Sequence, residues 1–236
     1  MSMPTKKLEE QRFKEIEEEE DKSIEWAFIF GSVGDCKAYL YQQRSKTILD
    51  MTAKNRTNAT NAADCGGRLG PAKDGGSADL RNFNLYYFPV EEDDIIMLCS
   101  DGVHDNLDPQ HLGKQPCDCS SQKVSFRSWN QMTDQSEIAN LKTKEAEHFL
   151  GHLLDLSSYG GEQDSLTPIS VVDKVISHCY KTTQESRTFM ELNPQEELPA
   201  DYQQYPGKMD HTTCVCYRVG KLKESCQVTR MNVPIA

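Results

Sequence analysis

The chain has 236 residues, 37% hydrophobic and 27% charged, which suits one globular domain with tails. With 37 acidic against 26 basic residues its net charge is −11, and it lacks the clustered Lys and Arg that replace counterions on a nucleic acid. No apolar run approaches the ~18 residues of a membrane span, and residues 1–21 have no apolar stretch of the secretory-signal kind.

Residues 1–23 are rich in Lys and Glu and end in Glu17-Glu18-Glu19-Glu20-Asp21. They predict a charged tail or a solvated helix, with good helix propensity but no apolar face. Residues 24–220 predict the folded domain, and residues 221–236 a second tail. The run Trp26-Ala27-Phe28-Ile29-Phe30 reads as a buried strand, Gly34-Asp35 as a tight turn, and Cys36 to Tyr41 as a second strand. Together they predict a β-hairpin whose turn presents a carboxylate. Residues 50–79 are rich in Asn, Thr, Gly and Asp and read as loop. Two more strands follow, Asn84 to Phe88 and Asp94 to Ser100, the second running straight into Asp101-Gly102.

Residues 111–132 are polar and carry no assignable pattern. Ile138, Leu141, Phe149, Leu150, Leu153 and Leu154 share one helical face. Val171, Val172, Val175, Ile176, Cys179 and Tyr180 share another, opened by Thr167-Pro168. Pro194, Pro199 and Pro206 mark a connecting loop, and Thr212 to Val219 a last strand that begins just after Asp210.

The nine cysteines are scattered, and several sit in apolar runs, as small buried hydrophobes do. They predict a reducing compartment, cytoplasmic or nuclear, with no structural disulfide. Zinc is the sharper alternative for Cys117-x-Cys119 and Cys214-x-Cys216, but zinc ligands are usually spaced by two to four residues. One intervening residue on a strand puts Cys214 and Cys216 on one face, as core residues.

Four aspartates carry the chemistry. Asp35 lies at a turn, Asp101 at the end of an apolar strand with Asp105 four residues on, and Asp210 at the start of a strand. A carboxylate at a strand end is held by rigid backbone and faces a cleft. Converging carboxylates repel unless a cation neutralises them, and hard oxygen donors favour Mg²⁺, Mn²⁺ or Ca²⁺ over zinc. From these residues alone the commoner reading of Asp-Gly after a strand is a plain turn.

Three segments resemble a known family. Gly31-Ser32-Val33-Gly34-Asp35-Cys36-Lys37-Ala38 is similar to the "N-x-G-D-S-R-A" strand pair of the metal-dependent PPM, or type 2C, serine/threonine protein phosphatases. Ser100-Asp101-Gly102-Val103-His104-Asp105 resembles that family's "S-D-G-x-x-D". Asp210-His211-Thr212-Thr213-Cys214-Val215 resembles its terminal "D-N-x-T-x-V". The three occur in family order, with helices between the second and third, over roughly Trp26 to Val219. The resemblance implies an α+β fold, an αββα sandwich of two antiparallel sheets flanked by helices and incomplete at its N-terminus. It implies Mg²⁺ or Mn²⁺ as cofactor and a phosphoserine/phosphothreonine protein as partner. Asp101 and Asp210 match carboxylates that bind one ion of a two-metal centre. Asp35 and Asp105 match the pair that helps hold a further ion.

The sequence departs from the pattern in places. His211 stands for the usual Asn or Asp, and Cys36 and Lys37 for Ser and Arg. The family's phosphate-binding Arg, early acidic ligand and "D-G-H-G-G" do not precede Trp26. Two functions are therefore expected: a phosphatase domain that hydrolyses phosphomonoesters with metal-activated water, or an inactive relative that binds without turnover.

Overall fold

The computed structural model describes residues 25–53, 55, 65–70, 76–154 and 166–221. The predicted tails lie outside these, apart from Lys221. Among the described residues six strands form two antiparallel sheets. β2 (Lys37–Gln42), β3 (Thr47–Asp50), β5 (Ile95–Cys99) and β6 (Cys214–Arg218) make a four-stranded sheet in the order β3-β2-β5-β6, and β1 (Trp26–Ser32) pairs with β4 (Asn84–Val90).

The period-2 alternation of the strands decides the layering. Tyr39, Tyr41, Ile95, Met97 and Cys99 point to one face of the four-stranded sheet. There they meet Ala146, Leu150, Val171, Val175 and Cys179 of two helices, α2 (Gln135–Leu153) and α3 (Pro168–Thr182). Ala38, Leu40, Ile96 and Leu98 point the other way, towards Trp26, Phe28, Phe30 and Phe88 of the β1–β4 pair. The order is helices, four-stranded sheet, two-stranded sheet. Among the described residues, both long helices lie on one side.

Helix α3 starts where the sequence places it. Thr167 accepts a bond from the Ser170 amide, Ser170 answers the Thr167 amide, and Pro168 fills the first turn. Asp134 caps α2 by accepting from the amides of Ser136 and Glu137. The segment 111–132 folds around Trp129, whose indole N–H donates to the Lys114 carbonyl, and packs with Cys119, Met132, Ile138 and Leu141. Two shorter helices have no counterpart in the sequence reading: α1 (Asp101–His104) and α4 (Gln184–Leu192).

The expected hairpin of β1 and β2 is not formed. β1 registers along its whole length with β4, from Trp26↔Val90 to Ser32↔Asn84, while β2 lies between β3 and β5. The reason is side-chain demand. The inner aromatics of β1 find partners on β4, with Phe30 and Tyr86 stacked at 4.8 Å. Both faces of β2 are already committed to core. The Gly34-Asp35 bend therefore carries the chain from one sheet to the other. Asn82 holds it there, accepting from the Gly34 amide and donating to the Gly34 carbonyl.

The eight described cysteines are free. Cys99, Cys119 and Cys179 are buried, whereas Cys36 and Cys117 are exposed. Cys214 and Cys216 pack against the helix-side core, their sulfurs 3.8 Å apart. Among the described residues no helix is long and apolar enough to cross a membrane.

Candidate functional site

The second and third motif segments meet at one end of β5 and β6. Cys99 and Cys214 are the final register pair, so the chain on either side leaves the sheet together. The Ser100 amide donates to the Thr213 carbonyl. The Ser100 hydroxyl donates to the His211 carbonyl and accepts from the Thr213 amide. Gly102 is required here. A Cβ on it would lie 2.5 Å from the His211 carbonyl oxygen and 2.9 Å from that of Asp210. The Asp101-Gly102 turn thus sits directly on the Asp210-His211 backbone. His211 contributes its main-chain carbonyl to this junction.

Asp101 opens α1, and its carboxylate accepts from the Gly102 amide at 2.8 Å. Desolvation raises the pKa of the neighbouring Cys36 thiol most, and the Asp35 and Asp101 carboxylates raise it further. Asp105, one residue past α1, is buried. It faces three nitrogens: His104 Nδ1 at 3.4 Å, His111 Nδ1 at 3.6 Å and Lys208 Nζ at 2.8 Å. Burial alone would raise its pKa, but the two imidazoles and the ammonium outweigh that and hold it far below the usual carboxylate range. The Nε2 of His104 is buried with no hydrogen-bond partner.

Lys208 is the residue that the sequence reading missed. Its ammonium bridges Asp105 Oδ2 at 2.8 Å and Asp210 Oδ2 at 3.1 Å. Burial would lower its pKa, but the two carboxylates raise it above that of an ordinary lysine. Its backbone is clamped by Asn106, which is fully buried. Asn106 Oδ1 accepts from the Lys208 amide, and Nδ2 donates to the carbonyls of Lys208 and Gly102. Gly207 makes the turn possible, with a φ of +82° and Asn106 Oδ1 only 2.3 Å from where a Cβ would stand.

The structure thus brings Asp105, Asp210 and the Asp101 turn to one junction. It does not make them an ion cage. Among the described residues no three His, Cys, Asp or Glu side chains group to hold a metal ion. Lys208 takes one oxygen of each of two candidate ligands. A divalent cation wants several such oxygens to itself, so the residues as arranged do not fit one. Beside Asp210 runs a cleft of about 270 Å³, lined by Lys208, Thr212, Thr183, Arg187 and Tyr180. Arg187 donates to the Thr183 hydroxyl and the Tyr180 carbonyl and stacks on the Tyr180 ring.

The chain matches no family model. A Drosophila melanogaster protein described as PP2C-like domain-containing protein CG9801 is 34% identical over 79 residues, 33% of this chain. The match spans 11% of that protein's length. The phosphatase domain of the cell-fate determinant SpoIIE from Bacillus subtilis covers 84% of this chain and 52% of its own, at 12% identity and a TM-score of 0.32. That likeness carries no argument about the site. Over those 79 residues the chain is similar to a PP2C-like domain protein, in keeping with the order of its three motifs.

Proposed function

We propose that this PPM-type phosphatase-like chain captures phosphoserine and phosphothreonine segments of proteins without turning them over. The observation that carries the reading is the cleft beside Asp210, whose lining includes Arg187, Lys208, Thr183 and Thr212. These are the groups that bind phosphoryl oxygens. An ammonium has three N–H donors. Two of those on Lys208 go to Asp105 and Asp210, which leaves one for a ligand. The free thiols support a reducing compartment, cytoplasm or nucleus.

The second reading is a phosphatase dependent on Mg²⁺ or Mn²⁺, and the match at Asp35, Asp101, Asp105 and Asp210 favours it. In that family the ions supply an activated water and stabilise charge on the phosphoryl group. The ion pairs of Lys208 weigh against it in this chain.

Fluorescence anisotropy with matched phosphorylated and unphosphorylated peptides tests the first reading. Phosphorylated peptides should bind more tightly, and Arg187→Ala should remove ~10-fold or more of that preference, the loss of one charge-assisted contact. Equal binding of both peptide forms overturns capture. Hydrolysis of p-nitrophenyl phosphate with Mn²⁺ that is lost in Asp101→Ala transfers the conclusion to the phosphatase reading.

A further inference from the structure

We propose that Lys208 is the resident cation of the carboxylate centre: its ammonium does the neutralising that a divalent ion would otherwise do, and its presence keeps such an ion out. The inference rests on reading Asp101, Asp105 and Asp210 as a phosphatase-type centre, but not on what the cleft binds.

Converging carboxylates need a positive partner. Asp105 is nearly sequestered, its side chain 5% exposed, so its charge is costly to bury without compensation. Asp210 is 41% exposed and stands on the solvent side. The Lys208 ammonium lies between the two, within hydrogen-bond distance of both. A cation placed between the two carboxylates would compete with the ammonium for Asp105 Oδ2 and Asp210 Oδ2.

The placement is built rather than incidental. A lysine on a solvated loop has four rotatable methylenes and rarely holds one geometry. Here the backbone that carries it is pinned from both sides. Asn106 gives three side-chain hydrogen bonds to the turn and to α1. The Gly207 amide donates to the His111 carbonyl at 2.7 Å, and His111 itself stands against Asp105. The main-chain carbonyl of Asn106 is in turn held by His178 Nε2 of α3, at 2.7 Å. The loop, α1 and α3 therefore all fix the root of Lys208, and the carboxylates fix its tip. An ion would have to displace an ammonium already matched in charge and distance.

The test measures Mn²⁺ binding by isothermal titration calorimetry on the whole chain, with no phosphopeptide present. Wild type should show no saturable site that depends on Asp210. Lys208→Met keeps the length of the side chain and removes its charge. It should gain a saturable Mn²⁺ site at least ~10-fold tighter than any in wild type, one decade in dissociation constant. Lys208→Met/Asp210→Asn should lose that site, and Lys208→Arg should stay closed to the ion. If Lys208→Met proves poorly folded, wild type alone still decides the matter. Its melting temperature should be the same in excess Mn²⁺ and in chelator, because a ligand that binds the native state raises it. An Asp210-dependent Mn²⁺ site in wild type, or an Mn²⁺-induced rise in its melting temperature, overturns the proposal. So does a well-folded Lys208→Met chain with no new site. Either result leaves the phosphopeptide experiment to stand or fall by itself.

Discussion

The two sheets use similar residues and end differently. The four-stranded sheet is covered on both faces at its central strands β2 and β5, where Leu40, Ile95 and Ile96 have only 1% of their surface exposed. The β1–β4 pair is covered on one. Its inner aromatics, Phe28, Phe30, Tyr86 and Phe88, are half-buried, while Ile29, Leu85 and Tyr87 face outward at 61%, 73% and 56% exposure. The strands are no less apolar in one sheet than in the other. Burial depends on what lies on each side, and stability should follow the four-stranded sheet and its helices.

The largest effect should come from the shared core. Leu150→Ala on α2 should cost about 3 kcal/mol in urea unfolding, the usual range for a large-to-small change in a closed core. Ile29→Ala on the open face should cost under about 0.5 kcal/mol. Comparable losses at the two positions would break the contrast between the sheets.

Next comes the knot beside the covered sheet. Asn106→Ala removes three hydrogen bonds and leaves main-chain groups of Gly102 and Lys208 buried without them. It should destabilise by roughly 2 kcal/mol. Gly102→Ala should cost about as much, 1–3 kcal/mol being usual for a forced methyl, because the new Cβ meets main-chain oxygens rather than a flexible side chain. Calorimetric melting of both variants checks this, and an unperturbed Gly102→Ala would mean that the junction is looser than described.

A smaller effect should appear with pH. Glu145, on the helix side, is buried, which pushes its pKa up. The Lys114 ammonium and the Ser121 amide pull it down, and the net shift is downward. A lowered folded pKa gives stability that is present above the unfolded value, ~4.3 for Glu, and is lost as pH falls through the folded one. Glu145→Gln should therefore flatten the acid limb of the stability–pH curve below about pH 4.3, while leaving its slope near neutrality alone. An unchanged acid limb would sink this assignment. The smallest effect is expected from Leu85→Thr on the open face, near zero in unfolding but lowering self-association in light scattering, since exposed apolar strand surface invites it.

How much of this was legible can be seen residue by residue. The start of α3 was, because Thr167 and Pro168 act on their immediate neighbours. The strand-end setting of Asp101 was also legible; Asp210 stands four residues ahead of β6 rather than at its start, and its main chain meets the Asp101 turn. The partner of β1 was not, because a Gly-Asp turn looks alike whether it joins two strands of one sheet or crosses between sheets. Asn82, 48 residues from Gly34, settles that question. Lys208 was the least legible of all. In a loop with three prolines it looks like a solvated lysine, and Asp105, its buried partner, is 103 residues away. Short-range pattern carries no sign of such a pairing. The only hint was chemical: aspartates that converge must find a cation somewhere.

The junction of Ser100 and Gly102 with residues 211–213 has a consequence in time. Its contacts span 110 to 113 residues of chain, and the Asn106 bonds to Lys208 span 102. Loop closures of that length come late, after local helices and neighbouring strands have formed. During synthesis from the N-terminus the Asp101 half waits, with β5 still an edge strand, until β6 is made. The Asp101–Asp210 junction is consequently a mark of completion: an assembling chain can show core, helices and most of its sheet and still not possess it.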